Sequence, residues 1–279
     1  MSQHWQWSVL QAGKLKLDGG SMFGVVPRPL WSKMTTPDDR NRIELQTNCL
    51  LLESEDRRVL VETGCGDKWS DKQRDIYGIE RRTVLDALEE HNVGPESINA
   101  VIVTHLHFDH GGGLTRFDGE GRPIRSFTEA SVHVQCQEWE DALAGKSTMN
   151  GTYLRSHLDP IHSCVQLTDG ECEVFPGISV LPVPGHTWGQ QAVLVETLTG
   201  IVCFPGDLMP TRHHVGAPYS MGYDMMPFQN MQTKRRLLDR AADESWTLVL
   251  DHEPDTPVVT VHRTDEWFEL EPVRNFQGV

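Results

Sequence analysis

His105, His107, Asp109 and His110 fall within one short stretch, HLHFDH, and Gly111, Gly112 and Gly113 follow at once. Imidazole and carboxylate groups at this spacing are the ligand types that divalent metals take from proteins, and the stretch offers about as many donors as one tetrahedral ion binds in all. Three more such donors occupy the same kind of setting. His186 follows LPVPG, Asp207 follows CFPG and His252 follows LVLD. Each time an apolar run ends and a metal-type side chain comes next. Donors delivered by four such runs suit a two-metal centre better than a set of solvated strand ends.

The elements that position these residues can be read around them. Residues 100–103 are apolar enough for a strand covered on both faces. Beyond Thr104 an extended backbone is expected to send His105, His107 and Asp109 to one side, with Leu106 and Phe108 anchored in the core on the other. The glycines that follow allow tight turns beside a crowded centre. Further strands are expected over 46–54, 57–64, 130–135, 178–183, 191–197, 200–206 and 246–252. A helix is expected over 83–94, with Thr83 and Asp86 as a capping box, Val84, Leu85 and Leu88 as its apolar face and Gly94 as its end. Another is expected over 234–245. Strands alternating with helices imply a layered α/β fold. No repeat or Pro/Gly/Ser-rich linker divides the chain, so a single domain over 1–279 is expected.

Composition narrows the chemistry. The chain has 279 residues, 38% of them apolar, and a formal net charge of −15. Nucleic-acid binding rests on a basic footprint, so this charge argues against a nuclease. No apolar run approaches the roughly 18 residues of a membrane span. The segment MSQHWQWSVL lacks the pattern of a signal peptide, so a cytoplasmic location is expected. Cys49, Cys65, Cys136, Cys164, Cys172 and Cys203 are scattered, which suits reduced thiols. The expected partner is a small-molecule substrate, not nucleic acid or membrane, with a second copy of the chain left open.

The order His-x-His-x-Asp-His, then His, Asp and His, resembles the metallo-β-lactamase superfamily. The resemblance runs from about residue 48 to about residue 255 and includes VETGCGD near the expected centre. It implies a four-layer αββα sandwich with two metals at one edge between the sheets. Carried over by position, one metal takes His105, His107 and His186. The second takes Asp109, His110 and His252, and Asp207 bridges them together with a hydroxide. Two divalent ions then outweigh two aspartates and one hydroxide by a single positive charge, which favours a bound carbonyl oxygen or an anion. Zinc is the metal expected, with iron, manganese or cobalt as alternatives.

The flanking segments LDGGSMFGVVPRPLWSK, DDRNRIELQTNCLL and GDLMPTRHHV are similar to the branch that holds quorum-quenching N-acyl-homoserine lactonases. That resemblance implies ring opening by a hydroxide shared between the metals, with Asp109 passing a proton to the leaving alkoxide. A loop at about 17–33, with Met22 and Phe23, and a loop at about 208–230, with His213, His214, Met221 and Tyr223, are expected to wall the pocket. Both loops are too uneven in pattern for a clean helix. One departure is evident: the tyrosine that related lactonases keep shortly after the bridging aspartate is replaced here by Leu208-Met209-Pro210-Thr211, and Tyr219 or Tyr223 would have to fold back into its role. The alternatives are a methyl parathion hydrolase-like phosphotriesterase, another ester or thioester hydrolase of the superfamily, and, more remotely, a non-catalytic metal-binding protein.

Overall fold

The apolar runs resolve into two sheets. In the computed structural model, which describes residues 4–149 and 151–273, the first half of the chain begins with β1 (Gln6–Asp18), α1 (Gly19–Phe23), α2 (Arg28–Trp31), β2 (Arg42–Glu53) and β3 (Arg58–Val61). It continues with α3 (Asp71–Tyr77), α4 (Val84–Glu90), β4 (Ala100–Ile102) and a hairpin of β5 (Thr115–Phe117) and β6 (Pro123–Arg125). Then come β7 (Ser131–Gln135), α5 (Cys136–Ala144), α6 (Arg155–Leu158) and β8 (Val165–Thr168). The second half runs β9 (Cys172–Phe175), β10 (Ile178–Pro182), β11 (Gln191–Thr197), β12 (Gly200–Phe204), α7 (Pro227–Asp243), β13 (Thr247–Val249), β14 (Val258–Arg263) and β15 (Phe268–Pro272). The ends of the expected 1–279 span lie outside the described residues.

The first sheet is ordered β1-β2-β3-β4-β7-β8 and the second β15-β14-β13-β12-β11-β10-β9. Successive side chains on a strand point to opposite faces, and here both faces are apolar. Leu50, Leu52, Val61, Ala100 and Ile102 of the first sheet pack on Val180, Val193, Val195, Phe204 and Val249 of the second. Leu51, Leu60, Val101 and Val132 face the other way, onto Val84 and Leu88 of α4, Trp139 of α5 and Leu158 of α6. On the far side of the second sheet, Leu194, Cys203 and Leu248 pack on Leu237, Leu238 and Ala241 of α7. The layers are therefore helix, sheet, sheet, helix, the αββα order expected.

Several boundaries differ from expectation for local reasons. The Asp86 carboxylate accepts hydrogen bonds from the Thr83 backbone N–H and hydroxyl, as a capping box should. Yet α4 ends at Glu90 and not at Gly94, because Asn92 already turns left-handed at φ 57°. Helix α7 begins at Pro227, ahead of the expected 234, since proline suits a first helical turn. The loop expected over 208–230 thus stops short. The 17–33 segment is not simply loop: it holds α1, capped by Asp18 accepting from Ser21 N–H at 2.8 Å, and α2. The whole of β1 was unforeseen. All six cysteines are free thiols. Among the described residues, no helix is long and apolar enough to cross a membrane.

Candidate metal centre

The donors arrive where strands stop. After β4 the backbone does not stay extended: the N–H groups of His110 and Gly111 both donate to the His107 carbonyl, at 3.1 and 2.9 Å, and close a turn. The expected alternation therefore fails at Phe108. Leu106 does enter the core, but Phe108 swings to the opposite wall and meets Trp69 edge-on at 5.2 Å. The glycines serve close approach, since a Cβ on Gly112 would lie 2.2 Å from the Cys65 carbonyl oxygen. His186 follows β10, Asp207 follows β12 and His252 follows β13. Gly206 sits at φ +58° with the Thr104 hydroxyl 2.7 Å from where a Cβ would be, so only glycine lets the chain deliver Asp207 there.

The donors converge in two groups. His105, His107, His186 and Asp207 offer atoms that all lie within 4.8 Å of one another, and so do His110, Asp207, Asp251 and His252. Asp207 belongs to both groups. One of its oxygens lies 3.0 Å from His186 Nε2, 3.6 Å from His110 Nε2 and 3.9 Å from His105 Nε2, and the other lies 3.3 Å from His252 Nε2. Metal–ligand bonds of about 2.0–2.1 Å place tetrahedral ligands roughly 3.3 Å apart, so the spacing suits such ions. Asp109 presents its oxygens 3.7 Å from His110 Nε2 and 3.7 Å from His252 Nε2.

Buried polar atoms left without partners test whether these residues fit metals. His105 Nε2, His107 Nε2 and one Asp207 oxygen are buried and make no hydrogen bond. Imidazole nitrogens also face each other: His107 Nδ1 and His186 Nε2 stand 2.9 Å apart, and His110 Nε2 and His252 Nε2 stand 3.3 Å apart. Two lone pairs so placed repel unless a cation or a proton lies near both. Burial, reinforced by neighbouring imidazoles, holds His105 and His107 well below the usual histidine range, which keeps them neutral. Burial alone would raise the Asp207 carboxyl, but His186, His252 and His110 overcome it and hold the group well below the usual carboxylate range. His110, His186 and His252 go the other way: against the effect of burial, Asp207 and neighbouring carboxylates hold them above the usual histidine range, so this cluster calls for bound protons or for cations that would displace them. The donor set fits.

The surrounding shell includes residues that sequence reasoning missed. Asp224 accepts from His186 Nδ1 at 2.9 Å and from Met221 N–H at 3.0 Å. The Gln46 carbonyl orients His252 through Nδ1 at 2.9 Å. Glu62 and Asp251 carboxylates stand 3.4 and 3.9 Å from His110 Nδ1, the ring nitrogen that does not face Asp207. Histidine ligands commonly hand their second nitrogen to such acceptors. Asp251, beside His252 at the same strand end, and Glu62, within VETGCGD, carried a signal; Asp224 did not.

A cleft opens onto this centre. Its walls include Leu17, Met22, Tyr77, Phe108, Met149, Met221, Tyr223 and Met225, together with Asp109, His107, His186, Asp207 and His252. Among the described residues, no lysine or arginine lines it. Of the residues expected in the pocket, Met22, Met221 and Tyr223 line it, whereas Phe23, His213 and His214 do not. Phe23 is fully buried behind Met22, stacked on Trp31 at 5.4 Å and on His214 at 5.0 Å. His214 lies 2.8 Å from the Met22 carbonyl through Nε2 and holds that segment from behind. His213 points into a separate polar hollow with Arg212 and Glu253. Tyr219 packs edge-on against Phe23 at 6.3 Å, so of the two tyrosines considered Tyr223 is the one on the cleft.

Known proteins share both sequence and fold. Residues 42–252 match the family described as the metallo-beta-lactamase superfamily. An N-acyl homoserine lactonase from Bacillus thuringiensis is 29% identical over 166 residues, which are 56% of this chain and 60% of that protein. The chain thus spans about 60% of the length of the curated relatives it matches first. The crystal structure of a probable metal-dependent hydrolase from Staphylococcus aureus has a TM-score of 0.89 at 28% identity, covering 99% of this chain and 100% of that one. A dizinc quorum-quenching lactonase solved with a product shares the fold, with a TM-score of 0.80 at 16% identity over 99% of this chain and 97% of that one.

Proposed function

The chain belongs to the metallo-beta-lactamase superfamily, and from that premise we propose that it is a dinuclear metal-dependent hydrolase that opens the ring of N-acyl-homoserine lactones. The observation that carries the substrate is the cleft: a methionine-rich wall, with no lysine or arginine among the described residues that line it, ends on the convergent histidines and aspartates. Such a wall favours a neutral molecule with an acyl chain, and methionine adapts to chains of different shape. It gives no counter-charge to the carboxylates of a glutathione thioester. The Bacillus thuringiensis relative supports the same reading.

His105, His107 and His186 would hold one ion, and His110, Asp109 and His252 the other, with Asp207 between them. Asp109 is preferred to Asp251 as the second ligand carboxylate because it faces the Nε2 atoms of His110 and His252, while Asp251 faces His110 Nδ1 and accepts from His252 N–H at 3.0 Å. Bound divalent ions supply Lewis acidity and bring the pKa of a water down toward 7.

In the reaction, water oxygen adds to the lactone carbonyl carbon and the ring C–O bond breaks. The ring oxygen takes a proton, leaving a carboxylate and a free hydroxyl. Asp109 and Asp207 both line the cleft, and with Asp207 held between the ions Asp109 would carry that proton. Tyr223, which lines the cleft, is the candidate to hydrogen-bond the substrate in place of the tyrosine missing after Asp207. Met22, Met221 and Met225 would wall the acyl chain.

The test is a hydrolysis panel on zinc-loaded protein: acyl-homoserine lactones, aryl phosphotriesters, acyl thioesters and a chromogenic β-lactam. Lactone opening should exceed the other activities by orders of magnitude in kcat/KM. Dominant phosphotriester turnover would move the protein to the neighbouring branch, whose neutral substrates such a cleft also admits.

A further inference from the structure

Glu138 on α5 is fully buried, is satisfied by hydrogen bonds from neutral groups, and belongs to neither donor group among the described residues. A buried carboxylate is costly unless hydrogen bonds satisfy it. Here three donors do so. One oxygen accepts from Leu106 N–H at 3.0 Å and from the Tyr153 hydroxyl at 3.0 Å. The other accepts from the Thr187 hydroxyl at 2.6 Å.

The identity of those donors matters. Leu106 lies between His105 and His107, on the loop after β4 of the first sheet. Thr187 directly follows His186, on the loop after β10 of the second. One carboxylate therefore clips together the two loops that carry one donor group. The backbones are drawn close as well, since a Cβ on Gly189 would lie 2.2 Å from Glu138 N. The third donor, Tyr153, lays its ring 5.0 Å from that of His107. The other donor group is anchored elsewhere. The His110 carbonyl accepts from the Thr63 N–H at 2.9 Å and hydroxyl at 2.6 Å, and His252 is held by the Gln46 carbonyl.

We infer that Glu138 is a positioning residue for one half of the centre: it sets the spacing of His105, His107 and His186 and leaves the His110–Asp109–His252 half to its own anchors. The inference rests on the metal-binding reading given above. It requires that losing Glu138 weaken one metal step and spare the other.

The experiment titrates metal-free wild type, Glu138→Ala, Glu138→Gln, Thr187→Val and the exposed control His262→Ala with zinc against a chromogenic chelator. Two stepwise affinities are read for each, together with the unfolding midpoint of the metal-free protein. Glu138→Ala should weaken one step by about 10–100-fold, the usual effect of removing a residue that orients metal ligands, and leave the other within about threefold. Glu138→Gln should restore most of the loss. Its amide oxygen can accept from Leu106 and Tyr153, and its NH₂ can donate to Thr187 Oγ1. Thr187→Val removes a single link and should weaken the same step without moving the unfolding midpoint much. It decides the matter if Glu138→Ala fails to fold. Equal weakening of both steps, or none in Thr187→Val and Glu138→Ala, overturns the inference. A wild type that binds fewer than two equivalents overturns the metal reading and the inference with it.

Discussion

Truncating Met221 should change which acyl chains the protein prefers. Met221 is 4% exposed, lines the cleft beside Met22, Tyr223 and Met225, and has its backbone N–H tied to Asp224 at 3.0 Å. Met221→Ala should therefore remove wall and leave the loop's course unchanged. If about two methylenes of a long chain rest on that side chain, at about 0.8 kcal/mol each, the loss is roughly 1.6 kcal/mol, or about 15-fold in kcat/KM. On this reading a butanoyl chain stops short of the Met221 side chain, so its turnover should change little. The assay is proton release on ring opening across a butanoyl-to-decanoyl series. The decanoyl-to-butanoyl ratio is the quantity to compare, because the folded fraction cancels from it. Phe23→Ala is the contrast. Phe23 is buried against Trp31 and His214, off the cleft, so its truncation should destabilise the fold by about 3–5 kcal/mol and leave the ratio unchanged. An unchanged ratio in Met221→Ala, or a collapsed one in Phe23→Ala, would refute the assignment of the chain-binding wall.

Two further outcomes follow from buried groups outside the ligand set. Asp224→Ala leaves His186 Nδ1 without its acceptor and frees Met221 N–H, so zinc affinity should fall by about 10–100-fold and KM for long-chain lactones should rise, as read by chelator competition and steady-state kinetics. His157 is buried with both ring nitrogens unpaired, and burial, with Lys68 nearby, pushes its pKa from 6.5 down to about 3. Its folded pKa lies below its unfolded one, so its contribution is intact above about pH 6.5 and is lost as the pH falls toward 3, by at most about 1.4 kcal/mol per pH unit. His157→Leu should flatten the denaturant midpoint against pH across that window; an unaltered slope would mean that the ring does not stay neutral in the folded protein.

The centre was legible because its signal is local. Each donor lies in the short connection that follows an apolar strand, so its neighbours in sequence mark it. What lay beyond needed the fold. Glu138 sits on α5 like any acidic residue of a helix, and only the packing of α5 between two loops makes it a common acceptor. Asp224 returns to His186 from a long connection whose path no periodicity reveals. Met22 and Phe23 are neighbours in a helix of five residues, too short for a pattern to say which faces the cleft. Strand β1 was hidden by its own geometry: the pairing with β2 shifts register between Gln11 and Lys14, where Gly13 adopts φ +118°, and the alternation that marks a strand is broken there. The turn closed on the His107 carbonyl likewise reversed the side on which Phe108 was expected.

The most direct test of a two-metal lactonase is to add zinc in steps to metal-free protein and follow N-acyl-homoserine lactone opening together with bound metal. Activity should rise until two equivalents per chain are bound and then level off. Full activity at one equivalent would contradict the dinuclear centre, and bound metal without lactone turnover would contradict the substrate.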